Sequence, residues 1–469
     1  MSNENPAAEN SAHSNRHPAA LYFIFWGEFA ERSCYYGMRA ILALYMTTYL
    51  LIPEADATSY YSWFKMACYL LPLLGGVIAD RWLGKYWTIV GFAVPYVLGQ
   101  CLLTFGDRDT LLFALGLLAF GSGVIKPNIS SLLGMTYDQK RPGNINLRFA
   151  AFQYFYFAIN IGALVSMLAL PLVRDSIQGE QPKEITMQTP EQRERMKAAY
   201  TTAFAIPAAL MFASLIVFAI GKKHYATETS PQAEPVMTEE EKRNQWKVLG
   251  SLLGVFLLYV LFWIPYEHND IQWIFFAKKY MTLDTPWLAR VGGPEKLSAD
   301  AFQWINSLGV LILIPFFAWY WPKVDPTGRR ISPIQKISLG LVFTACGPAV
   351  MALCAYMTED GAKVSCLWLV LAYFLLTLGE VLTYGTGLDF SYAQAPKSMK
   401  SSITACFLLT NAIANFINSF WGRNYDNPEA ALPLTPFGFF SVDTALPLLG
   451  AVLVLIIGRK FHLAHIQGK

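Results

Sequence analysis

Two carboxylates and two arginines inside an apolar run constrain what this chain can fold into. The run extends from about Leu21 to Leu51 and contains Trp26-Gly27-Glu28-Phe29-Ala30-Glu31-Arg32-Ser33-Cys34-Tyr35-Tyr36-Gly37-Met38-Arg39. A bilayer is spanned by a helix of about 20 apolar residues, so the run is long enough. A charge at the bilayer centre costs at least about 2.5–3.5 kcal/mol. Several such groups are tolerable only if they face one another or a water-filled cavity. Glu28, Arg32, Tyr35 and Arg39 fall at i, i+4, i+7 and i+11, one face of a helix. At about 1.5 Å rise per residue the stripe is roughly half as long as the hydrocarbon is thick. Two readings follow: a buried ion pair that only ties helices together, or a polar path through a membrane bundle. The path is favoured, because Arg39 needs a further partner.

The rest of the chain has the composition of a polytopic membrane protein. It is 54% hydrophobic and 15% charged over 469 residues, against about 25% charged in soluble domains. Repeated apolar runs near 20 residues exclude a soluble multidomain protein. Spans are predicted near 20–50, 58–79, 86–105, 110–133, 149–173, 198–221, 246–277, 299–321, 333–357, 364–392, 401–421 and 442–461. The expectation is an all-α membrane protein with 12 transmembrane helices in two six-helix halves. The polar break at about 222–245, with Lys222-Lys223-His224 and Thr238-Glu239-Glu240-Glu241-Lys242-Arg243, separates them. The organisation read from this is a disordered cytoplasmic tail (1–18), an N-terminal bundle (19–221), a cytoplasmic linker (222–245), a C-terminal bundle (246–463) and a cytoplasmic tail (464–469). Residues 1–18 are polar and lack the apolar segment of a signal peptide. The net charge of +3 points to no nucleic acid, because the basic residues sit in short loops. The seven cysteines (34, 68, 101, 346, 354, 366, 406) read as small buried hydrophobes, not disulfides. With the N-terminus inside, inner loops hold about sixteen Lys/Arg and outer ones about twelve, which places both termini in the cytoplasm.

A motif repeats between the halves. Gly76-Val-Ile-Ala-Asp80-Arg81-Trp-Leu-Gly84-Lys85 lies after the second span and Asp325-Pro-Thr-Gly328-Arg329-Arg330 after the eighth. An Asp at a helix end with bases beside it makes a latch between cytoplasmic helix ends. This loop pattern is that of the major facilitator superfamily.

Other charges lie inside the spans. Lys126, before Pro127 in the fourth, needs an anion, from the protein or from a substrate. Asn160, in Phe155-Tyr156-Phe-Ala-Ile-Asn160-Ile-Gly162, reads first as a structural amide between helices. In the seventh span, Pro265-Tyr266-Glu267-His268-Asn269-Asp270-Ile-Gln272, Glu267 is a natural partner for Lys126 or Arg39. One His and one Asp are too few for a metal site. Glu380 stands alone in the tenth span, and Lys65 reads as interfacial. Cations Arg32, Arg39 and Lys126 in the first half face carboxylates Glu267 and Glu380 in the second. That field suits a small zwitterion bound between the halves. A Glu that exchanges a Lys partner for a proton can couple transport to a proton gradient.

These residues resemble the proton-coupled oligopeptide transporter family (POT, also called PTR) of the major facilitator superfamily. Its first-span motif matches Glu28, Glu31, Arg32, Tyr35, Tyr36 and Gly37, and its fifth-span signature matches Phe155 to Gly162. The stretch from Gly387 to Ser401 is similar to the animal members. The likeness covers nearly all the spans, without the large outer domain of the animal proteins or the two extra central helices of many bacterial ones. It implies that Arg39, Lys126 and Tyr36 hold a peptide carboxylate and that Glu380, Asn160 and Asn306 hold the amino terminus. It also implies a proton-coupling cluster of Glu28, Glu31 and Arg32, and a gating role for Glu267. Tyr69, Trp304 and Phe407 would line side-chain pockets; the family usually has Trp at the last. Ser33 replaces the motif's Phe, and Ser62 stands where animal members have a protonatable His. The seventh span diverges most: His268 to Gln272 replace a Gln-Gln-Gly-Ser-Arg-type stretch. There His268 and Asp270 are a candidate replacement network, and His268 a further proton site near neutral pH.

The function implied is a proton-driven symporter of di- and tripeptides working by alternating access, with small peptides, protons and the lipid bilayer as partners, no cofactor and a monomeric state. Other cargoes stay open: an amino acid, a peptide-like drug or nitrate. An enzyme reading finds no Gly-x-Ser-x-Gly, His-Glu-x-x-His or phosphate loop. Compact loops suggest a bacterial inner membrane.

Overall fold

A computed structural model describes residues 16–179, 189–227, 238–326, 331–387 and 400–467. Helices lie at the predicted spans: α1 (Ala20–Leu44), α2 (Glu54–Ile78), α3 (Gly84–Phe105), α4 (Leu111–Lys140), α5 (Ile145–Gln178) and α6 (Pro190–Ile220). After them come α7 (Glu239–Glu267), the short α8 (Gln272–Tyr280), α9 (Trp304–Val324), α10 (Pro333–Met357), α11 (Leu367–Glu380), α12 (Lys400–Trp421) and α13 (Pro436–Gln467). Among the described residues, eight helical stretches are long and apolar enough to cross a membrane. One of them, Glu54–Phe105, has 52 residues, enough for two crossings. Large side chains such as Phe113, Ile312 and Val452 are exposed on these helices. In water that would be a liability; facing lipid it is expected.

Local chemistry sets the helix ends. The Thr189 side chain accepts from the Gln192 amide in a capping box with Pro190 at the first helical position, and Ser332, Gln335 and Pro333 repeat this on α10. Asn144 caps α5 by accepting from the Leu147 amide. Interior prolines (Pro72, Pro127, Pro207, Pro265, Pro348) leave carbonyls that neighbouring groups in a membrane bundle can satisfy.

The chain forms two compact units. The first holds α3 to α6, with α1 up to Arg39 and α2 from Leu70; the second holds residues 40–69 and α7 to α13. In the first, α3 packs on α4 and α6, and α6 on α5. In the second, α10 packs on α11 and α13, and α7 on α12 and α13. Residues 40–69, counted with the N-terminal half from sequence, join the second unit through side-chain contacts. Ser59 Oγ donates to the Ser419 carbonyl (2.7 Å), Gln303 Nε2 donates to the Ala40 carbonyl (3.0 Å), and Arg423 pairs with Asp56 (3.0 Å).

The expected disordered tail lies mostly outside the described residues. Its last part is ordered: His17 bonds the Tyr137 hydroxyl (2.6 Å), and Arg141 donates to the Arg16 carbonyl (3.0 Å). In the expected linker, Gln139 and Thr227 share two hydrogen bonds, and α7 already begins at Glu239. Met281–Thr282 (β1) and Val364–Ser365 (β2) pair as parallel strands in the second unit.

Candidate functional site

In the first unit, the one-face stripe of α1 forms a charged cluster. Glu28 Oε1 lies 2.9 Å from Arg32 Nε, and Arg32 also pairs with Glu31. All three are buried, and Ser122 on α4 donates to Glu31 Oε1 at 3.2 Å. Higher on the stripe the cations meet rings. Lys126 Nζ sits 3.9 Å from the Tyr35 centroid, and the Arg39 guanidinium lies 5.0 Å from the Tyr36 ring and 6.0 Å from the Tyr35 ring. Cation–π contacts hold a charge without neutralising it. Tyr35 was legible only as a member of the stripe; its ring is the one Lys126 and Arg39 share.

Close helix packing positions this stripe. A Cβ on Gly162 of α5 would come within 2.8 Å of the Phe29 carbonyl and 3.0 Å of Ser33 Oγ. Ser33 Oγ in turn donates to the Phe29 carbonyl (2.7 Å) and the Gly162 carbonyl (3.3 Å). The exchange of the motif's Phe for Ser33 therefore belongs to a small-residue contact between α1 and α5. Asn160 Nδ2 donates back to the Tyr156 carbonyl at 2.9 Å, a bond within α5 and not between helices.

In the second unit, Glu380 closes α11 beside a π-helical turn, Val381–Gly385, a local defect frequent at functional sites. Asn306 Nδ2 donates to Glu380 Oε2 at 2.8 Å and to Thr377 Oγ1 at 3.0 Å. Gly379 lets α11 lie against α10, where a Cβ would come within 2.4 Å of the Thr344 backbone nitrogen. Tyr69 and Trp304 are half-buried. Phe407 is 2% exposed and closed among Tyr259, Tyr384 and Phe256, at 4.5, 5.4 and 6.5 Å between centroids.

Lys65 corrects the sequence reading. Instead of lying at the interface it is 1% exposed and pairs with both Glu267 and Asp270, the latter at 2.6 Å. Glu267, expected to pair with Lys126 or Arg39, thus has its cation from α2, and it accepts from Asn411 Nδ2 at 2.8 Å. A lysine stem can snorkel only if its head reaches water; here two carboxylates hold the head inside. His268 Nδ1 meets Asp443 Oδ2 at 2.8 Å. Asn411, Asn415 and Tyr266 were passed over; the i, i+4 pair of amides in an apolar span was the available signal, and Asn415 Nδ2 does bond Asn411 Oδ1 (2.8 Å).

In the first copy of the loop motif Lys85 pairs with Asp80. In the second, Asp325 accepts from the Ile331 amide at 3.0 Å, while Gly328, Arg329 and Arg330 lie outside the described residues. So does most of the stretch from Gly387 to Ser401.

Comparison with known proteins gives one consistent picture. The model of the POT family matches residues 86–240 and 231–435. Human solute carrier family 15 member 1 is 28% identical over 390 residues, 72% of this chain and 52% of the relative. Peptide transporter family 1 of Drosophila melanogaster is 30% identical over 373 residues, 71% of this chain and 47% of the relative. The chain thus spans about half the length of the curated relatives it matches. Among solved structures, the POT family transporter PepTSo superposes with a TM-score of 0.81 at 25% identity, over 96% of this chain and 99% of that one. A peptide transporter POT variant in complex with alafosfalin gives 0.78 at 25% identity, over 98% and 99%. The fold is that of these all-helical, multi-pass membrane transporters, the major facilitator fold read from the sequence.

Proposed function

Because the chain belongs to the POT family, we propose that it is a proton-coupled symporter that imports di- and tripeptides by alternating access. The observation that carries this reading is the pair of cations against tyrosine rings and the anchored carboxylate. Lys126 and Arg39 lie against the Tyr35 and Tyr36 rings, and Glu380 accepts from Asn306, which also donates to Thr377. A peptide offers the complementary pair, a carboxylate and an ammonium. Arg39, Lys126 and Tyr36 take the carboxylate; Glu380 and Asn306, with Asn160, take the amine. Tyr69, Trp304 and Phe407 shape the side-chain pockets. Glu28 and Glu31 exchange protons under the hold of Arg32, and Glu267 gates by keeping or losing its lysine.

The same proposal includes a monomer that needs no cofactor and catalyses no reaction. It places the protein in a bacterial inner membrane, organised as two six-helix bundles with both termini cytoplasmic; the loop-charge asymmetry supports that orientation.

The test is reconstitution in liposomes with a trapped pH dye and an inside-negative potential. Ala-Ala should acidify the lumen, free alanine and nitrate should not, and Glu380→Gln should abolish the response. Folded protein that gives no acidification with any short peptide overturns the reading, and a response to alanine or nitrate redirects it to another cargo.

A further inference from the structure

Five ionisable groups meet around one turn of chain at the end of α7. Lys65 faces Glu267 and Asp270, and His268 faces Asp443, with each of the five no more than 4% exposed. The surrounding elements add polar groups without charge. From α12, Asn411 donates to Glu267 with Asn415 behind it. From α11, the Tyr373 hydroxyl donates to the Asn269 carbonyl (2.9 Å). From α13 come Asp443 itself and the Phe439 ring, 4.9 Å from the imidazole. Tyr266 of α7 lies in the field of Glu380, Asp270 and Glu267. Lys65 is set against two carboxylates, Glu267 and Asp270, and Asp443 meets the imidazole. Amides and hydroxyls solvate that excess but do not cancel it, and an uncompensated buried charge is costly. A bound proton cancels it most cheaply, since a buried group tends to neutralise itself.

The geometry offers a place for that proton. His268 Nδ1 and Asp443 Oδ2 are 2.8 Å apart, while His268 Nε2 and Asp443 Oδ1 are both buried without a hydrogen-bond partner. One further proton makes the pair neutral overall. Asp270 and His268 are the two ends of a single helical turn, so the position of Lys65 acts on both.

We infer that His268 and Asp443 form a proton-binding site, separate from Glu28, Glu31 and Arg32, whose occupancy is set by Lys65. While Lys65 stays on Asp270 its charge opposes the proton; when Lys65 leaves, the pair takes one up. The link to transport rests on the symport reading, but the site itself does not.

The test observes the imidazole directly. Replacing His13, His17, His224, His462 and His465 by Gln leaves His268 the one histidine and touches no member of the group. Nitrogen-15 spectra of this protein in nanodiscs between pH 5 and 9 should show His268 titrating. Lys65→Gln should move the midpoint up by about one pH unit or more, Lys65→Arg should return it, and Asp443→Asn should move it down. In liposomes, the pH profile of Ala-Ala uptake should move between the wild-type protein and Lys65→Gln in the same direction as the His268 midpoint. No titration, or a midpoint that both Lys65→Gln and Asp443→Asn leave in place, overturns the site. Because the spectra need no substrate, a protein that moves no peptide still decides the question. Conversely, peptide uptake with a silent imidazole removes the site and leaves the function.

Discussion

The charged clusters of the two units are built on different plans. In the first unit the ion pairs of Glu28, Glu31 and Arg32 lie within one helix, with the Ser122 hydroxyl of α4 donating to Glu31 and Lys126 of α4 and Tyr96 of α3 in their field. At the end of α7 the charges come from α2, α7 and α13, with an amide from α12. Burial does not separate them, since Arg32 and Lys65 are 5% and 1% exposed. What differs is how many elements each cluster ties together. A cluster within one helix can gain or lose a proton while its helix stays in place. A cluster drawn from several helices must break if those helices part. On the function proposed above, the first suits proton exchange in place, and the second suits a gate whose opening is tied to a proton.

The largest expected effect tests that contrast. Lys65→Met leaves Glu267 and Asp270 buried without their cation, at a cost of about 3–5 kcal/mol. Thermal unfolding in detergent should show it, and adding Glu267→Gln and Asp270→Asn should recover most of the loss. Arg32→Met should cost less, about 1–3 kcal/mol, because it removes charged contacts within one helix and no tie between helices. It should still abolish proton-driven uptake. Equal destabilisation by the two would break the comparison.

Next in size is packing. Gly379→Ala places a Cβ 2.3 Å from Thr344 Oγ1 and 2.4 Å from its backbone nitrogen. Overpacking of this kind costs about 1–3 kcal/mol, and Glu380, the next residue, would shift with its helix. Both the unfolding temperature and the apparent affinity for Ala-Ala should fall. In the first unit Ser33→Ala removes a hydroxyl that donates to two carbonyls and opens space instead of closing it. Its expected loss is about 0.5–1.5 kcal/mol, read from the same unfolding curve, with uptake nearly unchanged.

The same contrast explains what could be read from sequence. The α1 cluster was legible because its spacing, i and i+4 with a further turn to Tyr35, is a property of one helix. The spans were legible for the same reason: each apolar run is a local signal. Lys65 was misread because its partners lie more than two hundred positions away, and a lone lysine in an apolar run looks alike whether it reaches water or two carboxylates. Asp443 drew no notice, since nothing near it in the chain shows that α13 brings it to His268. Glu380 was found as an isolated charge, but its bond from Asn306 depends on how α9 and α11 pack. The boundary of the units at Arg39 and Tyr69 has no local signature, because contacts such as Ser59 with Ser419 create it.

The smallest effect lies just beyond the partners of the buried lysine and isolates what burial adds. Lys279, beyond the seventh span, pairs with Asp426 at 2.5 Å, and its side chain is 58% exposed. Partial burial acts to lower its pKa, but the bonds to Asp426 and Tyr280 outweigh this and raise it. A raised lysine contributes stability below its unfolded value, about 10.4, and loses it only as pH climbs past the folded one. Between pH 5 and 9 the contribution of this lysine is therefore flat. Water and salt screen so exposed a pair, so Lys279→Gln should cost under about 1 kcal/mol, and that loss should shrink further in high salt. Lys65→Met, measured in the same detergent, should keep its cost in salt, because no ions reach it. If salt erased both effects alike, the group at the end of α7 would be as wet as the loop, and its role as a buried gate would fall.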